Sequence, residues 1–176
     1  ICPSSTFHDE AHYAAGREPD AAEIARRVDR YWRPYHLRLA AEIERIRARH
    51  GICILLDGHS IVSVAPRFFA GRLPDLNLGT ADGTTCDARY ASAAMAVLSA
   101  AAGLSAVYNG RFKGGYITRH YGQPSRDVHA LQLEMAQVAD LDEAHPRTLN
   151  PVRAAPLVAV LGRLLDALLA VPRVAH

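Results

Sequence analysis

Two segments of this sequence place titratable side chains at the ends of apolar runs. Asp57 and His59 follow the apolar, β-branched run at residues 52–56, and Glu134 ends a second run at residues 129–134. An imidazole oriented by a nearby carboxylate is a common metal-ligand arrangement. A carboxyl group at the end of a buried strand is desolvated, which suits general acid–base work. The two segments suggest a metal hydrolase, with His59 as a metal ligand, Asp57 as the group that orients it and Glu134 as the residue that moves protons.

Each of these residues also has a structural interpretation. His59 could be a core histidine or a general base, Asp57 could form an Asx-turn that ends the strand, and Glu134 could begin an exposed turn. Ser60 lies beside His59 and raises the alternative of a serine hydrolase. No G-x-S-x-G elbow surrounds it, and adjacent side chains on a strand diverge, which disfavours that alternative.

The glycine-rich segment at residues 109–119 is a second candidate site. It combines three glycines with three cations. Glycines let the backbone approach a ligand closely, and arginine binds carboxylates with two parallel hydrogen bonds. The pattern is not that of a phosphate-binding P-loop, so we expect an anionic substrate. The expected substrate contacts are Asn109, Arg111, Lys113, Gly114, Gly115 and Arg119. The alternative is a solvated face of an arginine-rich protein.

Composition narrows the class of protein. The chain has 176 residues, of which 49% are apolar and 22% charged, and we expect a single globular α/β domain over residues 1–176. The net charge of +2 is too small to indicate nucleic acid or a membrane surface, and no apolar run is long enough to span a bilayer. Cys2, Cys53 and Cys86 form no even framework and no metal-type spacing, which favours reduced thiols in the cytoplasm. Nothing indicates the oligomeric state.

The predicted elements alternate helix and strand around these segments. A capping box at Asp20 and Glu23 starts a helix that Gly51 ends, and Pro34 is expected to kink or split it. Strands are expected at residues 52–56, 105–108, 116–119 and 129–134, and helices at 88–102 and 151–171. Residues 61–85 are expected to be irregular. In open α/β sheets, chemistry lies just past the carboxyl ends of the strands, where His59 and Glu134 fall.

Five stretches together resemble the N-formylglutamate amidohydrolase (N-formylglutamate deformylase) family. They are YWRPYH at residues 31–36, LDGHSI at 56–61, GRLPDLNLG at 71–79, NGRFKGGYITRHY at 109–121 and HALQLEMAQ at 129–137. The resemblance implies a hydrolase of histidine degradation that releases formate and L-glutamate from N-formyl-L-glutamate. The implied partner is therefore a small acidic N-acyl amino acid.

The resemblance also implies a fold and a cofactor. The fold would be the phosphorylase/hydrolase-like three-layer sandwich related to zinc carboxypeptidases, with N-terminal strands missing from this chain. His59 would bind zinc or another divalent metal, Glu134 would be the general base, and residues 109–119 would hold the substrate's carboxylates. Relatives carry further metal ligands in an N-terminal segment, on a Pro-His motif and an acidic residue, that is absent here. The alternative is therefore a non-catalytic remnant that binds acidic ligands without metal.

Overall fold

A long helical segment begins the regular structure. The computed structural model describes residues 2–6, 9–145 and 148–172. Helix α1 (Ala21–Arg27), a single wide π turn (Val28–Trp32) and helix α2 (Arg33–His50) follow one another without a break. The Asp20 side chain accepts the Glu23 amide at 2.7 Å, which confirms the predicted cap. Pro34 lies in the first turn of α2, directly after the wide turn, so the helix is not split there.

Four strands form one mixed sheet. They are β1 (Cys53–Ile61), β2 (Leu76–Gly79), β3 (Ala106–Tyr108) and β4 (Val128–Ala136), in the spatial order β1-β4-β2-β3. β1 is parallel to β4 and β2 is parallel to β3, whereas β2 and β4 are antiparallel. The predicted α/β class is therefore confirmed, and β1 and β4 extend beyond the predicted strands. β2 lies inside the segment that we expected to be irregular, and that expectation was wrong.

Helices cover both faces of the sheet. Helix α3 (Ala88–Ser99) and helix α5 (Pro151–Leu169) pack on one face. The larger core lies between them and the strands, and its leucines include Leu76, Leu78, Leu98, Leu131, Leu133, Leu157 and Leu164. Helix α2 packs on the other face together with helix α4 (Tyr116–Tyr121), around a smaller core of Ile43, Cys53, Tyr121 and Val128. None of the described helices is long and apolar enough to cross a bilayer.

Helix α4 corrects one prediction. We expected a strand at residues 116–119 because tyrosine, isoleucine and threonine favour strands. The segment is instead a short helix that starts after Gly115 and buries Thr118 completely. Packing against the sheet outweighs the intrinsic preference of the side chains. The helical path also turns Arg119 back toward the glycine-rich segment, where its guanidinium donates to the Gly114 carbonyl.

Candidate functional site

The strand register brings the candidate residues into two rows on one face of the sheet. Side chains alternate across a strand, and the leucines of β2 and β4 face the larger core, so the residues between them face the opposite side. His59 of β1, Glu134 of β4 and Asn77 of β2 are register partners and form the first row.

Asp57, Gln132 and Gly79 are the corresponding partners in the second row. Both rows run across the same three strands, and they are neighbours along the strand direction. The sheet therefore brings together the imidazole and the carboxyl group that the sequence placed in separate segments.

Asp57 and His59 form a pair near the carboxyl end of β1. The His59 Nε2 atom lies 2.9 Å from the Asp57 Oδ1 atom, and the imidazole is 46% exposed. Asp57 thus contacts His59 from two residues away, as the alternation of the strand requires. Nδ1, the other ring nitrogen, makes no hydrogen bond within residues 2–6, 9–145 and 148–172. Ser60 lies on the other side of the strand, and its hydroxyl accepts from Gln137 at 3.5 Å rather than from His59.

Glu134 is a buried carboxyl group. It is only 8% exposed, and this burial raises its pKa above the ordinary value for a glutamate. Among the charges beside it, His59 lowers the pKa and Asp57 raises it. Asn77 fixes the neighbouring backbone, because its Nδ2 donates to the Glu134 carbonyl at 3.1 Å and to the Pro74 carbonyl at 2.8 Å. A carboxyl group with a raised pKa on a fixed strand is well suited to proton transfer.

The glycine-rich segment lies directly over the end of β2. A Cβ atom on Gly79 would come within 2.5 Å of the Lys113 carbonyl carbon and 2.7 Å of the Gly114 nitrogen, so only glycine permits this approach. The Ala81 amide donates to the Lys113 carbonyl at 2.5 Å and holds the segment there. A cavity of about 660 Å³ results between the segment and the sheet. Its walls are His59, Gly110, Arg111, Phe112, Lys113, Gly114, Gly115, Arg119, Gln132 and Glu134.

The three cations of this wall differ in their partners. The Arg111 Nε donates to the Phe68 carbonyl at 2.6 Å, and Arg119 donates to the Gly114 carbonyl. Lys113 is paired with the Asp82 carboxylate at 3.0 Å. The two arginines are therefore bonded to neutral carbonyl oxygens and keep their charge and several donors for an anion.

Asn109 is the one predicted contact that does not line the cavity. Its side-chain oxygen accepts the Thr80 amide at 2.8 Å, and its side-chain nitrogen donates to the Thr80 hydroxyl at 3.1 Å. With a φ of 48° it adopts the left-handed conformation that asparagine tolerates better than most residues. The structure thus places Asn109 in a turn at the start of the glycine-rich segment, with its side chain bonded to Thr80, and its contact with the substrate stays a prediction.

Sequence reasoning missed Gln132 and Asn77. Gln132 is 5% exposed, lines the cavity, and accepts the Gly115 amide at 2.7 Å. The available signal was its position two residues before Glu134, which places both on one face of a strand. Asn77 gave no comparable signal, because β2 was not expected.

His59 and Asp57 were predicted to belong to a metal site. His59 with Asp57 has the chemistry of a ligand with its orienting carboxylate. Catalytic zinc normally takes three protein ligands, and the described part of the chain contains no group of three His, Cys, Asp or Glu residues that could hold a metal ion. These residues alone do not fit a catalytic zinc.

The fold and the site define an α/β protein with a histidine–carboxyl pair facing a cationic, glycine-rich wall. Comparison with known families is more specific. The model of the N-formylglutamate amidohydrolase family matches residues 1–139, and the chain belongs to that family. The family predicted from the five sequence stretches is confirmed.

Individual relatives agree with this assignment. The chain is 45% identical over 170 residues to N-formylglutamate deformylase of Pseudomonas putida and 47% identical over the same length to that of Pseudomonas aeruginosa. These matches cover 97% of this chain and 64% of each relative, so the chain spans less than two thirds of their length.

Two solved structures share the fold. A crystal structure of N-formylglutamate amidohydrolase from Ralstonia eutropha JMP134 matches with a TM-score of 0.76 and 28% identity, over 89% of this chain and 58% of that one. A gene product from Agrobacterium tumefaciens matches with a TM-score of 0.61 and 17% identity, over 94% of this chain and 65% of that one. The second match concerns the fold alone.

Proposed function

We propose that this protein hydrolyses N-formyl-L-glutamate to formate and L-glutamate. The observation that carries the proposal is the register of β1 and β4, which sets His59 opposite Glu134 on the floor of the cavity. The wall above them is cationic, which suits a substrate with two carboxylates. The names of the relatives, N-formylglutamate deformylase, supply the acyl group and the amino acid.

Glu134 moves the protons in this proposal. Water adds to the formyl carbon, the carbon–nitrogen bond breaks, and the glutamate nitrogen leaves with a proton. Glu134 takes the proton from the attacking water and delivers it to the leaving nitrogen. Burial raises the pKa of Glu134, which brings its proton affinity closer to that needed at neutral pH.

The cationic wall binds the substrate. Arg111 and Arg119 hold its carboxylates, because neither guanidinium is paired with a carboxylate of any described residue. Lys113 contributes less, since Asp82 already neutralises part of its charge. Gly114 and Gly115 let the backbone approach the ligand.

We also propose that His59 is one ligand of a divalent metal, zinc by preference, with Asp57 orienting the ring. The 2.9 Å contact between the two side chains supports this. The relation to the phosphorylase/hydrolase-like fold of zinc carboxypeptidases belongs to the same proposal. Three free cysteines are consistent with the proposal that the enzyme acts in the cytoplasm on a small molecule.

Formate release from N-formyl-L-glutamate tests the proposed reaction. We expect turnover by the wild type and a loss of kcat of about 10²- to 10⁴-fold in Glu134→Gln. Glu42→Gln is the control, because it removes a partly exposed carboxylate of helix α2 that is paired with Arg45 and does not line the cavity. Normal turnover in Glu134→Gln would remove Glu134 from the mechanism. Glutamate binding without any turnover by the zinc-supplied wild type would favour the non-catalytic remnant.

Zinc binding tests the role of His59 separately. Equilibrium dialysis followed by elemental analysis should show less zinc bound by His59→Ala than by the wild type. His145→Ala is the matched control, because His145 is exposed and its side chain contacts Asp142 outside the cavity wall. Stoichiometric zinc in the wild type that is retained in full by His59→Ala would exclude His59 as a ligand.

A further inference from the structure

Gln132 has one polar end fixed by the protein and the other directed to the cavity. It is 95% buried, and its Oε1 accepts the Gly115 amide at 2.7 Å. An amide N–H requires an acceptor, so the oxygen and nitrogen of this side chain are assigned by that contact. The Nε2 end makes no hydrogen bond with any described residue, although Gln132 lines the cavity.

We propose that Gln132 determines specificity for the side-chain carboxylate of the ligand. In this arrangement Oε1 holds the glycine-rich segment through Gly115, and Nε2 donates a hydrogen bond to a carboxylate oxygen. This inference rests on the proposed function, because it takes an acidic N-acyl amino acid as the ligand. It goes beyond it by assigning one neutral, buried donor to one end of that ligand.

The spacing along β4 selects which carboxylate Gln132 contacts. Gln132 and Glu134 are two residues apart on one face, which is about 6.6 Å along a strand. The bond that breaks lies at Glu134 and His59. The α-carboxylate is separated from the amide nitrogen by two covalent bonds, whereas the side-chain carboxylate is separated by four. The longer path matches the step from Glu134 to Gln132, which leaves the α-carboxylate to the arginines.

A neutral amide also suits its neighbours. Asp57 is the register partner of Gln132 on β1, so a cation at position 132 would pair with Asp57 and disturb its contact with His59. The amide donates to an anion without competing for Asp57. On the other side Gly79 has no side chain, so the space beside Gln132 is filled by the Lys113–Gly114 peptide. Gln132 is thus confined to a narrow range of positions.

The test compares two substrates in two variants. N-formyl-L-norvaline replaces the side-chain carboxylate of N-formyl-L-glutamate with a methyl group. The readout is kcat/KM for N-formyl-L-glutamate divided by kcat/KM for N-formyl-L-norvaline. Gln132→Met removes both hydrogen bonds without adding charge, and Gln132→Glu keeps an acceptor for Gly115 but loses the donor. We expect the ratio to fall about 10- to 100-fold in both variants, the range for a hydrogen bond to a charged group.

Other outcomes overturn the proposal in different ways. Equal losses on both substrates, with the ratio unchanged, would mean that Gln132 acts only by holding Gly115. A fall in Gln132→Glu alone would indicate repulsion through space rather than a hydrogen bond. Gln137→Glu is the control, because it adds the same charge just after β4, and its side chain contacts Ser60 outside the cavity wall.

A binding measurement separates this proposal from the proposed reaction. Glutarate has two carboxylates and no amide, so its binding by calorimetry needs no turnover. If the wild type hydrolyses neither substrate, the proposed reaction fails, but weaker glutarate binding in Gln132→Met and Gln132→Glu would still support the contact. Unchanged glutarate binding in folded forms of both variants would refute it.

Discussion

Replacing Glu134 by glutamine should make the protein more stable at neutral pH while it removes activity. Burial raises the pKa of Glu134 above its ordinary value near 4.5, so the folded state holds this proton more tightly than the unfolded state. Below pH 4.5 the protonated carboxyl group makes its full contribution to the free energy of unfolding. That contribution is lost as the pH rises through the folded-state pKa of Glu134. Glutamine cannot ionise, so the variant does not suffer this loss.

The size of the effect follows from the linkage. Each unit by which the pKa is raised costs the wild type about 1.4 kcal/mol at high pH. For a chain of this length, each 1 kcal/mol changes Tm by about 2–4 °C. His59 lowers the pKa of Glu134 and Asp57 raises it, so these two effects oppose each other. Desolvation is the main cause of the raised pKa. A gain of a few degrees at pH 8, absent at pH 4, is the expected result.

The assay is thermal unfolding of the wild type and Glu134→Gln from pH 4 to pH 8, with a chelator present so that no metal contributes. Glu42→Gln is the control, because the pKa of Glu42 is lowered by its hydrogen bond to Arg45 and its removal should give no gain. A Tm difference for Glu134→Gln that does not grow with pH would refute the reasoning, since it would not come from ionisation. A Tm at pH 8 below that of the wild type would refute it as well.

Four further predictions concern the site and the fold that supports it. Gly79→Ala should weaken glutarate binding measured by calorimetry and lower the free energy of unfolding in denaturant by about 1–3 kcal/mol. The reason is that the new Cβ would collide with the Lys113–Gly114 peptide. Wild-type values would contradict the docked position of that segment. Gly162→Ala in helix α5 should instead stabilise by about 0.5–1 kcal/mol, since its Cβ would meet open space, and a destabilised variant would show an unrecognised contact. Burial lowers the pKa of His129, so the unfolding free energy should fall as the pH drops below about 6.5, and a flat profile in the wild type or an equally steep one in His129→Gln would refute that origin. Arg119→Met should raise the dissociation constant for glutarate more than Lys113→Met does, because only the lysine is already paired with a carboxylate; the reverse order would be inconsistent with the proposed roles.

The sequence predicts the two strands that bear His59 and Glu134, but it does not predict how they pair in the sheet. β1 and β4 were predictable because each is an apolar run bounded by polar residues. Their adjacency was not predictable, because the register of two strands whose partner residues are 75 positions apart depends on packing against helices from other parts of the chain. The juxtaposition of His59 and Glu134 is therefore a property of the fold and not of either segment.

Two local features differ from what residue type alone indicates, and each has a physical cause. β2 has only four residues, Leu76–Gly79, and a run this short carries too little periodicity to separate it from a loop. Asn109 was assigned to the substrate because it stands beside cations and glycines. In the structure its side chain bonds to Thr80 in a left-handed turn. Residue type alone does not distinguish a group that binds a ligand from one that supports the backbone beneath it.

The alternating pattern of polar and apolar residues in β4 nevertheless indicates the site. Polar Gln132 and Glu134 alternate with Leu131 and Leu133, a pattern that ordinarily indicates a strand with one face in water. Here β4 has a neighbour on each side and all four residues are buried. Polar side chains on a buried strand must be satisfied by other groups, and those of Gln132 and Glu134 face a cavity wall built from glycines and cations. Alternating polar residues on an interior strand therefore indicate a site, because the folded chain leaves part of their hydrogen bonding to whatever enters the cavity.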